Sequence, residues 1–149
     1  WLVGIPSIVG LFGVCRVVDV DVPHREPLAL LLYLFGSFFS LGYELHRFHW
    51  KAQPENVGRL HTTGLAQYCI HPNYFGEITL WLGVAIVAAP VLQGWQYATL
   101  VSPVFVFVLL NFVSGVPMLE RRSDREWGGQ EAYEAFKAKT PVLILRPPR

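Results

Sequence analysis

His71-Pro72-Asn73-Tyr74-Phe75-Gly76-Glu77-Ile78-Thr79-Leu80-Trp81-Leu82-Gly83-Val84-Ala85-Ile86-Val87-Ala88-Ala89-Pro90-Val91-Leu92 carries a single charged side chain, Glu77, in an apolar run of membrane-spanning length. Glu77 is also the only Asp, Glu, Lys or Arg between Arg59 and Glu120. A carboxylate is costly against lipid, so it should face protein, water or a ligand. Pro72 at a first helical position starts the helix without wasting a backbone donor. Asn73 and Glu77, at i and i+4, then share a face, and the helix N-terminus favours anionic groups. A plainer reading takes His-Pro as a turn, Glu77 as an acid near a positive dipole end and Tyr74 as an interfacial aromatic.

Four apolar runs surround this point, at about 2–15, 28–48, 74–92 and 95–119. With 52% hydrophobic and 15% charged residues and a positive mean hydropathy, the composition departs from that of an ordinary soluble domain. The expected fold class is all-α: a multi-pass transmembrane helical bundle with an amphipathic helix in a cytoplasmic C-terminal tail. The second run reaches spanning length only if its helix continues through Glu44 to Phe48. Pro103 and Pro117 predict kinks in the last span. The apolar start at Trp1, without a signal-peptide pattern, predicts that the 149 residues form one membrane domain belonging to the C-terminal part of a longer chain.

The linking segments alternate in charge. Residues 16–26 hold two basic and three acidic side chains, and residues 93–96 hold none. Residues 44–61 carry Arg47, Lys51 and Arg59 against two acids, and the tail after Leu119 carries seven basic residues against five acidic ones. The positive-inside tendency places that loop and the tail, 120–149, on the cytoplasmic side. Both a bacterial inner membrane and an endoplasmic reticulum membrane fit. In the tail, Gly128-Gly129 interrupts a first helix, and a second runs from Gln130 to about Lys139 with Tyr133, Phe136 and Lys137 on one face. Val142-Leu143-Ile144-Leu145 reads as an extended apolar strip. Cys15 and Cys69 are far apart and suggest neither a zinc site nor a disulfide framework.

Two segments carry a family resemblance: Gly58 through Glu77, with Thr62-Thr63-Gly64-Leu65, Tyr68 and His71-Pro72-Asn73-Tyr74-Phe75-Gly76-Glu77, and Gly115-Val116-Pro117-Met118-Leu119-Glu120-Arg121-Arg122 continuing through Tyr133-Glu134-Ala135-Phe136. Together they resemble the C-terminal half of the steroid 5α-reductase superfamily, in its reductase-like membrane branch related to the isoprenylcysteine carboxyl methyltransferases. The resemblance covers roughly residues 40 to 149. It implies a multi-span oxidoreductase that binds NADPH at the cytoplasmic end of the bundle and reduces a carbon–carbon double bond in a sterol-like or other lipid. Tyr74 and Glu77 are then the residues nearest the chemistry. Tyr68, His71, Asn73, Arg121, Arg122, Asp124 and Tyr133 become cofactor-binding candidates. The family pattern also has a basic residue where Ile70 stands, a tryptophan where Ala66 stands, and an Asp and a Gln where Glu44 and His46 stand.

Guanidinium pairs suit phosphate oxygens, which fits Arg121-Arg122 to a dinucleotide. The same pair also serves simply to anchor a span at the interface. His46, His49, His61 and His71 invite a metal reading, but paired histidine boxes and HExxH are absent, and no metal is expected. A lipidic small molecule and membrane lipids are the expected partners, with no nucleic acid; the sequence does not define an oligomeric state. Two alternatives stay open. One is an S-adenosylmethionine-dependent membrane methyltransferase of the isoprenylcysteine type, which shares a similar His-Pro-x-Tyr-x-Gly string. The other is a non-catalytic lipid-binding membrane protein.

Overall fold

A computed structural model describes residues 25–90 and 92–147. The first apolar run, 2–15, lies outside the described residues. Everything described is helix, turn or loop, with no strand among the described residues. Helix α1 spans Arg25–Ala52 and α2 spans Pro72–Ala88. A 3-10 stretch, Gly94–Val101, leads into α3, Ser102–Val108, and then a π-turn, Leu109–Val113. Helix α4 covers Val116–Trp127 and α5 covers Glu131–Lys139.

Helices α1 and α2 run antiparallel and touch through their smallest residues. A methyl group built on Gly36 would stand 2.5 Å from the Gly76 carbonyl oxygen, and one on Gly76 would strike the Gly36 carbonyl in return. A methyl on Gly83 would lie 2.9 Å from the Ala29 carbonyl. Ala29 and Ser40 are buried along the same seam. Close backbone approach through small residues is how apolar helices associate when lipid offers no hydrophobic drive. Phe39 and Phe75 close the seam edge to face, with centroids 5.7 Å apart.

Among the described residues two segments, Pro27–Ala52 and Gly94–Trp127, are long and apolar enough to cross a membrane, while α2, with 17 residues, ends at Ala88, short of the expected Leu92. Helix α1 does continue past Phe48, as its length required, and ends beyond His49 and Lys51, which suit the negative end of the helix dipole. Its outer face leaves Leu31, Phe38 and Phe48 exposed, and the last segment does the same with Phe105 and Phe112. The breaks in that segment are of a different kind from simple proline kinks. Pro103 sits in the first turn of α3, after the change from 3-10 to α winding, and Pro117 in the first turn of α4, after Ser114-Gly115 leaves the helix. Each proline stands where its missing N–H costs nothing, so it starts a helix rather than bending one.

The tail folds back. Gly129, at φ 81, turns the chain after α4, and its N–H donates to Glu134 Oε1 at 3.1 Å. On α5, Tyr133 is buried. Beyond Thr140 the apolar strip forms no strand, yet it is held by main-chain bonds to the loop before α2. Ile70 and His71 donate to the carbonyls of Pro141 and Val142 at 2.9 and 3.1 Å, and the Arg146 N–H donates to the Tyr68 carbonyl at 3.0 Å.

Candidate functional site

The entry to α2 is the most tightly enclosed part of the described chain. Pro72 and Cys69 are fully buried. Burial pushes the Cys69 thiol up to about 12, so it stays protonated and unreactive at neutral pH. His71 caps the helix with its carbonyl, which accepts from the Tyr74 and Phe75 N–H groups. The tail bonds described above fix the two residues just upstream of Pro72, so the side chains of His71 and Asn73 project from a backbone held on both sides.

Asn73 is buried, and its Nδ2 donates to Glu44 Oε1 at 3.0 Å. Glu44 in turn lies 3.9 Å from Arg47, one turn along α1; that half-exposed pair is weak. The other amide atom, Asn73 Oδ1, has no partner among the described residues, nor do His71 Nε2 and His61 Nδ1. All three residues line one cavity of about 90 Å³. Tyr43, Arg47 and Lys51 of α1 complete one wall, and Leu119, Ser123 and Trp127 of α4 another.

Burial sets the charge state of the two histidines. His71 is pushed down to about 4, first by desolvation and then by the Arg47 charge. His61 is pushed down to about 4 by desolvation, and next by His46, Arg47 and Lys51. Both are therefore neutral at pH 7, each with one nitrogen able to accept and one able to donate. Neutral imidazoles, a carboxamide oxygen and two fixed cations form a polar lining with a net positive field. Such a lining suits an anionic ligand with its own hydrogen-bonding groups and repels a bare metal ion.

A larger open groove of about 620 Å³ lies beside this cavity, between the loop at Gly58–Gln67 and the α4–α5 tail. The two share Leu60, Trp127 and Phe136 as walls. Arg59 and Lys139 line the groove, and no acidic side chain does.

The sequence-derived candidates separate into groups. His71 and Asn73 line the inner cavity. Tyr74 is half-buried and tilted over His71, with ring centroids 5.3 Å apart. Glu77 is half-buried one turn further along α2, outside the cavity wall, and no hydrogen bond or ion pair reaches it among the described residues. Tyr68 is 42% exposed and engages through its carbonyl. Arg121 and Arg122 are exposed and line neither the cavity nor the groove. Asp124 accepts from Tyr133 Oη at 2.5 Å and from Lys137 Nζ at 2.8 Å, which ties α4 to α5. That contact and burial raise the Tyr133 hydroxyl to about 12, burial being the larger cause, and Tyr133 lines the outer groove.

The remaining wall residues carry a signal that apolar-run analysis passes over. Tyr43, Arg47 and Lys51 recur every four residues, as do Leu119, Ser123 and Trp127, so each set forms one stripe of a helix. Among the described residues no group of three or more His, Cys, Asp or Glu side chains gathers around a common point. His49 bonds the Leu45 carbonyl on its own helix at 2.8 Å, and His46 and His61 meet each other.

Among the described residues, fold and site together define an all-helical protein with two segments long and apolar enough to cross a membrane, and a basic polar cavity where helices α1, α2 and α4 and the tail converge. The chain belongs to the DUF1295 family, described as a protein of unknown function, whose pattern matches residues 18–140. No curated protein and no solved structure matches the chain.

Proposed function

We propose that the protein is an integral membrane reductase that uses NADPH to saturate a carbon–carbon double bond in a sterol-like or other lipid. The described helices then belong to a multi-pass bundle, with the 53–71 loop and the tail on the cytoplasmic side. The observation that carries this reading is a cavity walled by Arg47 and Lys51 and lined by His61, His71 and Asn73, each of which holds a buried polar atom unpartnered among the described residues. Each such atom left unsatisfied costs about 1–3 kcal/mol. A ligand bringing donors, acceptors and negative charge removes that cost.

The two spaces suit a long ligand with a small polar head. The inner cavity has room for a ring-sized group or about three waters. The groove of about 620 Å³ is of ordinary small-molecule size. Asn73, oriented by Glu44, offers Oδ1 to an N–H of a carboxamide head. Arg47 and Lys51 face phosphate, and Arg59 and Lys139 extend the positive surface outward. The cofactor supplies the hydride; the chain's own residues hold it, exclude water and place the proton. Exposed apolar faces on α1 and on the segment before α4 are consistent with a substrate that arrives from lipid. The resemblance of Gly58–Glu77 and Gly115–Arg122 to the steroid 5α-reductase superfamily supports the same conclusion. S-adenosylmethionine, with a sulfonium and an ammonium, fits the cation-lined cavity less well.

The test is a titration of purified full-length protein with NADPH and with S-adenosylmethionine, in wild type and in Asn73→Ala. Saturable NADPH binding that weakens at least about tenfold in the variant is expected, since a hydrogen bond in a desolvated site is at stake. Binding of S-adenosylmethionine alone overturns the proposal. Binding of neither leaves the non-catalytic reading. Glu77→Gln should lower turnover more than it lowers yield; equal losses assign Glu77 a purely structural part.

A further inference from the structure

His46 and His61 connect the inner cavity with the outside of the bundle. His61 is buried against Tyr43 and Trp50, with ring centroids 5.7 and 4.9 Å away, and lines the cavity. Its Nε2 lies 3.2 Å from Nδ1 of His46. Its other ring nitrogen, Nδ1, has no partner among the described residues. His46 is exposed, and its ring edge fits under Gly64, where a methyl would stand 2.8 Å from Cε1. Two neutral imidazoles share one such contact only when one donates and the other accepts. When His46 donates from Nδ1, His61 carries its own proton on Nδ1, the unpartnered atom.

We infer that His46 and His61 form a proton wire, with His46 as the solvent entry and His61 Nδ1 as the point of delivery into the cavity. In one passage the His61 Nδ1–H bond breaks toward an acceptor in the cavity, and His61 Nε2 gains the proton released from His46 Nδ1. His46 then gains a proton at Nε2 from solvent. One proton enters for each delivered, no electron moves, and both rings, left with their proton on Nε2, turn over to restore Nδ1–H before the next passage. The groups facing His61 are Tyr43, His46, Arg47 and Lys51 from α1 and His71 across the cavity, while α4 and α5 contribute only Leu119, Ser123, Trp127 and Phe136. Two fixed cations and burial disfavour a resident imidazolium, so transfer proceeds through neutral rings. This assignment deepens the reductase reading: adding a hydride to one carbon of a double bond requires a proton at the other, and an enclosed site must import it.

The native protein contains its own control. His61 and His71 share the same 8% exposure, His61 lies at the shallower depth of the two, and only His61 has an imidazole leading outward. With histidine-labelled full-length protein in detergent, the ring N–H of His61 should exchange with water at least about tenfold faster than that of His71, the scale expected of a positioned proton carrier. His46→Gln retains a hydrogen-bonding partner for His61 but cannot pass a proton. It should abolish that advantage, and added imidazole should restore part of it. Equal rates for the two histidines in wild type, or an unchanged His61 rate in His46→Gln, overturn the wire. Should His46→Gln not fold, His46→Asn takes its place, because a faster His61 in wild type also follows from its shallower depth. If NADPH does not bind, the reductase reading fails while the exchange rates still judge the wire. Where turnover is measurable, His46→Gln should raise the solvent isotope effect without changing NADPH affinity.

Discussion

Asn73 reaches across the α1–α2 seam to Glu44 with its amide nitrogen, at 3.0 Å, while its amide oxygen is buried without a partner among the described residues. One half of the side chain is committed to the fold, and the other half has no partner among those residues.

Asn73→Asp should therefore be more harmful than Asn73→Ala. The alanine loses one hydrogen bond, at a cost of about 1 kcal/mol. The aspartate replaces the amide donor with a second carboxylate against Glu44, a repulsion that Arg47 and Lys51 across the cavity offset only in part. Thermal unfolding in detergent should show the larger fall for Asn73→Asp, and Glu44→Gln should recover part of it. A milder effect of the aspartate contradicts the assignment of Glu44 as the amide's acceptor.

Gly36→Ala and Gly76→Ala should each destabilise by about 1–3 kcal/mol, because each methyl meets backbone rather than a movable side chain. Once one substitution has forced the helices apart, the second meets less resistance. The double variant should accordingly lose clearly less than the sum. Full additivity in a denaturation series would show that the two carbonyl contacts are independent.

Acid should weaken the fold through His61 and His71. Both are lowered from 6.5 to about 4 in the native state. Between these values the unfolded chain binds more protons than the folded one, so stability rises with pH across that window. Read downward, it begins to fall near pH 6.5 and goes on falling until pH 4. The melting temperature measured from pH 7 to pH 4 should follow this course, and His71→Asn should flatten it. A slope unaffected by either histidine would mean that other groups dominate.

Asp124→Ala should loosen α5, because it removes the acceptor shared by Tyr133 and Lys137. Tyr133→Phe should do so less, since Lys137 still reaches the carboxylate. Hydrogen exchange across 131–139 reads the difference directly, with faster exchange expected there and little change in α1.

The apolar runs were enough to place α1, α2 and the long last segment, because a continuous run of Leu, Phe and Val has few other ways to satisfy its backbone. They did not reveal where the winding of that last segment changes. Ser114-Gly115 and the π-turn before it answer to packing against neighbours, which no single stretch of sequence encodes. Within the site, His71 and Asn73 were legible from local spacing alone. Arg47 and Lys51 count as loop charge in the sequence, although Tyr43, Arg47 and Lys51 also mark a stripe of α1. That α4 supplies Ser123 and Trp127 to the same wall, and α5 adds Phe136 after the turn at Gly129, is a matter of packing. Arg121 and Arg122 are exposed and line neither space, although the Arg122 charge acts on Lys51 of the cavity wall.

The bonds from Pro141, Val142 and Arg146 to the Tyr68–His71 loop use main-chain atoms only. Beyond Thr140, which is buried, and Pro141, which lines the groove, the identity of the side chains before Arg146 therefore matters less than their number. A substitution at Leu143 or Ile144 leaves the carbonyls and N–H groups in step, whereas inserting or deleting one residue shifts every pairing at once. This stretch acts as a ruler: its spelling is free to drift, but its length is set by the distance back to His71.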